Sequence, residues 1–132
     1  MRACGTIEVS ERALAHLRAL ASRGVREEVG LVLGVGCQAR VLFPARNTSE
    51  SPAEFIADPI DIVAAHNLAE SLTVDVMAIY HTHPFGGAAP SEKDVQGMGH
   101  WPIPWLIASP HSVRAWMARK GSVEELPLVV VP

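Results

Sequence analysis

The sequence predicts an α+β fold, a mixed α/β sandwich around a curved sheet rather than a doubly wound parallel one. Three observations carry this. The chain has 132 residues, 48% hydrophobic and 19% charged, which is the size and balance of one globular domain with a core. Its apolar periodicity switches several times between helical and alternating spacing. Its branched, apolar segments sit next to one another across short turns, as hairpins do, instead of alternating one by one with helices. A single domain over residues 1–132 is expected, without repeat, low-complexity tract or linker.

Residues 11–23 place Ala13, Leu14, Leu17, Leu20 and Ala21 at helical spacing, with Ser10 as N-cap and Gly24 as stop. Gly30–Val35 and Ala39–Phe43 flank a Gly36-Cys37-Gln38 turn, which predicts a hairpin closed by Pro44. A polar stretch over 46–52 leads into a short strand at Glu54–Ala57. Asp58 before Pro59 marks a second helix start, with Ile60, Val63, Ala64, Leu68 and Ser71 as its inward face. Thr73–Tyr80 reads as a strand with Val74, Val76, Ala78 and Tyr80 on one side. Ser91 opens a short helix, and Ile103–Ser109, Ser112–Arg119 and Leu126–Val131 read as the last three strands. The final one is an apolar edge that either pairs between subunits, making a homodimer, or completes the sheet.

Eleven Lys and Arg stand against 14 Asp and Glu, a net charge of −3. With no basic stripe, a nucleic-acid partner is not expected. The opening Met1–Thr6 lacks the apolar core of a signal peptide, and no run approaches the roughly 18 to 20 apolar residues of a membrane helix. A cytoplasmic location without membrane contact is expected. Cys4 and Cys37 fit neither a CxxC knuckle nor a disulfide framework and read as ordinary buried or half-buried thiols in a reducing compartment.

Six histidines accompany only three Phe, three Trp and one Tyr, so their grouping matters. His81 and His83 are two apart at the end of a strand and project to one side, where two imidazoles meet one ion. Pro84 holds His83 extended. A Gly86-Gly87-Ala88-Ala89 turn lets the chain return with Asp94 on the first turn of a helix. Two His and one carboxylate leave a fourth tetrahedral position on zinc for water, as catalytic sites require. The plainer reading of Ser91-x-x-Asp94 is a capping box. His16, His66, His100 and His111 have no partner at ligand spacing, and Trp101, Trp105 and Trp116 read as core and rim packing.

The run His81-Thr82-His83-Pro84, six residues, then Ser91-Glu92-Lys93-Asp94 resembles the H-[ST]-H-P-x6-S-x2-D signature of the JAMM, or MPN+, metalloprotease family. Glu27-Glu28-Val29-Gly30-Leu31-Val32-Leu33-Gly34 resembles its E-x-x-G-L-L-x-G element, and Phe43–Asn47 with Phe55 its asparagine-containing segment. The resemblance implies a cytidine-deaminase-like, MPN-type sandwich with helices flanking a curved mixed sheet. It implies one zinc on His81, His83 and Asp94, with Glu27 as the base that activates water and Ser91 as donor to the oxyanion. The E-x-x-G offset favours Glu27, with the adjacent Glu28 as the alternative. The few residues between Asp94 and Ile103 leave little room for a recognition insertion, as in compact prokaryotic members. Their implied substrates are small ubiquitin-like or sulfur-carrier proteins with a Gly-Gly tail, or the cysteine adducts of these. Competing readings are an inactive MPN-type scaffold or binding module, a RadC-like protein associated with DNA repair, and a peptidase acting on small conjugates.

Overall fold

A computed structural model of the chain describes residues 4–132; the first three residues of the segment read as lacking a signal core lie outside these. The elements run β1 (Ile7–Ser10), α1 (Glu11–Arg23), β2 (Val29–Val35), β3 (Gln38–Ala45), α2 (Pro59–Leu72), β4 (Asp75–Thr82), α3 (Glu92–Met98), β5 (Trp105–Ala108), β6 (Val113–Arg119), β7 (Ser122–Leu126) and β8 (Leu128–Val131). The strands form one mixed sheet in the order β7-β6-β5-β4-β2-β3-β1-β8. β1 runs parallel to β3 and β8, and β4 parallel to β5, while the other neighbours are antiparallel. Only Pro127 separates β7 from β8, yet they stand at opposite ends of that order. The sheet therefore curls until its two edges nearly meet.

Helices cover both faces. α1 starts where the Ser10 side chain accepts from the Ala13 N–H at 3.1 Å and buries Leu14, Leu17 and Ala21. Its face of the sheet carries Val32, Ala78, Tyr80 and Leu106. α2 and α3 lie on the other face, where Ala65, Ala69 and Met98 pack with Leu31, Ile79, Trp105 and Ile107. The expected hairpin is present, with Leu31 opposite Phe43 and Val32 opposite Leu42. Gly30 lies opposite Tyr80 on β4, and a Cβ built there would stand 2.3 Å from the Tyr80 ring. The glycine of the E-x-x-G spacing is thus set by a neighbouring ring.

Several sequence expectations need correction. Pro44 does not close the hairpin; it lies within β3 opposite Gly30. β1 touches β3 only at Glu8 and Gln38, so β3 is an open edge at Pro44, where a missing N–H costs no ladder bond. Glu54–Ala57 is not a strand and makes a single bridge, Asn47 to Ala57. The inward face of α2 is Ala65 and Ala69 with Ile62 and Leu68 beside them, while Ile60 and Val63 are 76% and 59% exposed. Apolar residues on more than one side of this helix leave its phase undetermined by pattern, and the two alanines let it approach the sheet. On β4 the register slips between Val32 and Leu33, which pair with Ala78 and Val76. That bulge at Met77 sends Val76 to the α2 face and Ala78 and Tyr80 to the α1 face.

Cys4 and Cys37 are bonded, not free thiols, with Cα atoms 5.7 Å apart. The cause is β1, a strand too short to stand out in the sequence. Its pairing beside the β2–β3 turn, where the Glu8 N–H donates to the Cys37 carbonyl at 2.9 Å, brings the two residues within disulfide reach. The expected strand over Leu126–Val131 breaks at Pro127: Leu126 ends β7, and β8 pairs with β1 to complete the sheet. No helix among the described residues is long and apolar enough to cross a membrane.

Candidate metal centre

Parallel strands cannot be joined by a tight turn, so the chain must cross over between β4 and β5. That crossover, residues 83–104, carries the chemistry. β4 ends in His81 and Thr82, and the His83 N–H extends the ladder by donating to the Ala108 carbonyl at 2.7 Å. His81 and His83 accordingly face the same side. α3 begins with the expected capping box: the Asp94 N–H donates to Ser91 Oγ at 3.1 Å and the Ser91 N–H to Asp94 Oδ2 at 2.9 Å. The plain reading and the functional one coincide here, because the carboxylate that caps the helix also faces the histidines.

Glu27 comes from the lead-in to β2. Thr82, between the two histidines, fixes it there: its Oγ1 accepts from the Glu28 N–H at 2.8 Å and its N–H donates to the Glu28 carbonyl at 3.0 Å. From the other side Asn47 Nδ2 donates to the Glu27 carbonyl at 2.8 Å and to the Glu54 carbonyl at 3.1 Å, while its Oδ1 accepts from the Ser49 and Ile56 N–H groups. Every hydrogen-bonding position of that amide is used. The sequence reading gave neither Thr82 nor Asn47 a role of its own; the hydroxyl between two histidines was the available signal.

Ligand-type atoms of Glu27, His81, His83 and Asp94 all lie within 4.8 Å of one another, and all four residues are buried. His81 Nε2 is 3.2 Å from His83 Nε2 and 3.1 Å from Asp94 Oδ1, and His83 Nε2 is 3.0 Å from Asp94 Oδ2. Ligands at zinc bond lengths in a tetrahedron stand about 3.3 Å apart, so the two imidazole nitrogens and the Asp94 carboxylate, which turns one oxygen to each histidine, are spaced to share one small cation. The Glu27 oxygens stand further off, 4.0 Å from His81 Nε2 and 3.9 Å from His83 Nε2, and Oε1 has no hydrogen-bond partner. The Glu28 side chain is exposed and takes no part in the group. The His83 Nδ1–H donates to the Gly87 carbonyl at 2.8 Å, which turns Nε2 inward to the Asp94 carboxylate. Ser91 is exposed at the rim. Outside the group, His16, His66, His100 and His111 are exposed.

The electrostatics follow from burial and pairing. Burial lifts the Glu27 carboxyl to about 7, with His83 opposing and Asp94 reinforcing. Burial also raises Asp94, but hydrogen bonds from His81 and His83 outweigh it and hold the carboxyl well below the ordinary range. Burial lowers His81 despite its Asp94 partner. At His83 burial pulls the same way but is overcome by Asp94 and the Gly87 carbonyl, and its pKa rises. Beside the group lies an open cavity of about 460 Å³, lined by Glu54, Phe55, Lys93, Asp94, Trp101 and Trp105 among others.

The sequence profile of prokaryotic homologs of the JAB domain matches residues 10–119. This chain is a prokaryotic JAB-family protein. A desampylase from Pyrococcus furiosus is 33% identical over 118 residues, which cover 88% of this chain and 84% of the relative. A Thermus thermophilus protein named "Probable TtuB-protein conjugate cleaving protease" is 36% identical over 107 residues, covering 80% and 70%. Among solved structures, a Desulfitobacterium hafniense protein superposes with a TM-score of 0.83 at 23% identity over 96% of this chain and 93% of that one. A JAB1/MPN domain protein from Archaeoglobus fulgidus gives 0.59 at 20% over 94% and 97%. The JAB fold is thus established, as the HTHP motif implied. The family and the buried Glu-His-His-Asp group together point to a metal site.

Proposed function

We propose that this chain, acting as one domain, is a zinc-dependent isopeptidase that hydrolyses the C-terminal Gly-Gly linkage of a small ubiquitin-like or sulfur-carrier protein. The observation that carries it is the spacing within the buried group: two imidazole nitrogens and the Asp94 carboxylate at 3.0–3.2 Å from one another, with the Glu27 carboxylate about 4 Å from the nitrogens. The relatives named desampylase and conjugate cleaving protease support the substrate class.

His81, His83 and Asp94 would hold one zinc. When bound, the metal would supply a Lewis acid that lowers the pKa of water and polarises the scissile carbonyl. Glu27 acts as the base. Its Oε1 has no protein partner, which leaves that oxygen free to accept a proton and return it. Oε1 takes the proton of the attacking water and passes it to the leaving amine. The Ser91 hydroxyl accepts from the Asp94 N–H, so its own hydrogen is free to donate to the oxyanion at the mouth of the site.

The open cavity beside Asp94 gives the tail of such a carrier an approach to the group. The Cys4–Cys37 bond sits awkwardly with a cytoplasmic location, which a thiol count on protein taken directly from the cell would decide. With one side of β8 paired to β1, a homodimer would use its other edge, near the exposed Val129 and Val130, and light scattering tests it. The central experiment is metal analysis with a cleavage assay on Gly-Gly-tailed carrier fusions. About one zinc per chain and chelator-sensitive release of the carrier are expected. Zinc-loaded protein that leaves every such fusion intact would overturn the substrate assignment.

A further inference from the structure

The two histidines of the group are held in different ways. His83 is oriented by a hydrogen bond from Nδ1 to the Gly87 carbonyl. His81 is fully buried, and its Nδ1 has no hydrogen-bond partner. Metal-binding imidazoles almost always donate that second N–H to an oxygen, which fixes the ring's rotation and tautomer. Two aromatic rings pack against His81 instead. The Phe55 ring lies 4.6 Å from it, centroid to centroid, at an interplanar angle of 35°. The Trp105 indole stands at 5.6 Å and 89°, and Phe55 and Trp105 are themselves 5.6 Å apart.

The two rings are not equally mobile. Trp105 belongs to β5, its Nε1–H donates to the Trp101 carbonyl at 3.1 Å, and α3 presses Gly97 so closely on it that a Cβ there would lie 2.9 Å from the indole. It is a fixed wall. Phe55 comes from the irregular segment between β3 and α2, held through the Asn47 bonds to Glu54 and Ile56, and it also lines the open cavity beside Asp94. It closes the cage from the one side that is not secondary structure.

We infer that Phe55 is a positioning residue for the metal: tilted over the His81 ring and backed by Trp105, it fixes the imidazole by packing where a hydrogen bond to Nδ1 is missing. The inference rests on the metal-site reading above. It makes metal affinity depend on the segment over residues 46–58, and so on whatever fills the cavity that Phe55 lines.

The test is zinc affinity, measured by competition with a chromophoric chelator, with the visible spectrum of the cobalt-substituted protein and the melting of the metal-free protein alongside. Phe55→Leu keeps apolar bulk but removes the ring over His81; Phe55→Tyr keeps the ring. Phe55→Leu should weaken zinc binding about tenfold or more, the range seen when the outer partner of a metal-binding histidine is lost, and should shift the cobalt bands. Phe55→Tyr should bind within about twofold of the parent, with both metal-free variants melting alike. Parent-like zinc binding and cobalt spectrum in Phe55→Leu would overturn the inference, as would an equal loss in Phe55→Tyr. A parent protein that binds no zinc at all would instead overturn the metal-site reading, and this inference with it.

Discussion

At the scale of single residues, the group is a set of compromises between burial and charge. Glu27 shows this best. Its folded pKa, about 7, stands above the ordinary 4.5. A raised pKa means the folded protein binds the proton more tightly, so its contribution to stability is full below about pH 4.5 and is lost as pH rises through 7. In metal-free protein, Glu27→Gln should therefore be more stable than the parent at about pH 8, by at most about 3 kcal/mol, with the gap closing toward about pH 4. Urea melts of chelator-treated protein across that range check it. In the loaded protein the same substitution should keep zinc but slow turnover by about 10² or more. His83→Ala should lose the metal itself. That Glu27, His81, His83 and Asp94 come together was legible, because motif spacing and strand alternation both constrain them. Thr82, Asn47 and the ring of Phe55 were not assigned these roles, because each acts through a contact between segments distant in sequence, and one chain read alone does not show which segments meet.

At the scale of elements, α3 combines two functions in one short helix. Ser91 and Asp94 cap it, and Asp94 turns the same carboxylate toward His81 and His83. Ser91→Ala removes the cap and the hydroxyl donor together, whereas Ser91→Asn retains a capping oxygen. The alanine variant should lose about 1 kcal/mol of stability while the asparagine variant loses little, and both should be slow in cleavage. Comparing melting with turnover for the pair separates the two roles. Elements with a strong local signal were readable: α1 with both caps, and the β2–β3 hairpin. Weak or two-sided signals failed. β1 is four residues long, α2 is apolar on more than one side, and the bulge at Met77 breaks the alternation that placed Val76 with Ala78. In each case tertiary pairing decided what local pattern left open.

At the scale of the whole molecule, the Cys4–Cys37 bond ties the lead-in of β1 to the β2–β3 turn across 33 residues. A bridge of that span restricts the unfolded chain by about 3–4 kcal/mol in the chain-entropy account. Cys37→Ser, or reductant, should lower the melting temperature by several degrees while leaving zinc content unchanged, since the bond lies apart from the metal group. Calorimetry with and without reductant measures it.

The curl of the sheet has a kinetic consequence. Ile7 lies opposite Leu128, and Val9 opposite Val130, so the last seam joins segments from opposite ends of the chain. Closing so long a loop costs entropy that only the completed sheet returns, and contacts of this kind form late. Pulse-labelled hydrogen exchange during refolding should protect the amides of β2 and β3 before those of β1 and β8. The metal group, built on β4, α3 and the lead-in to β2, would then be assembled while the seam is still open.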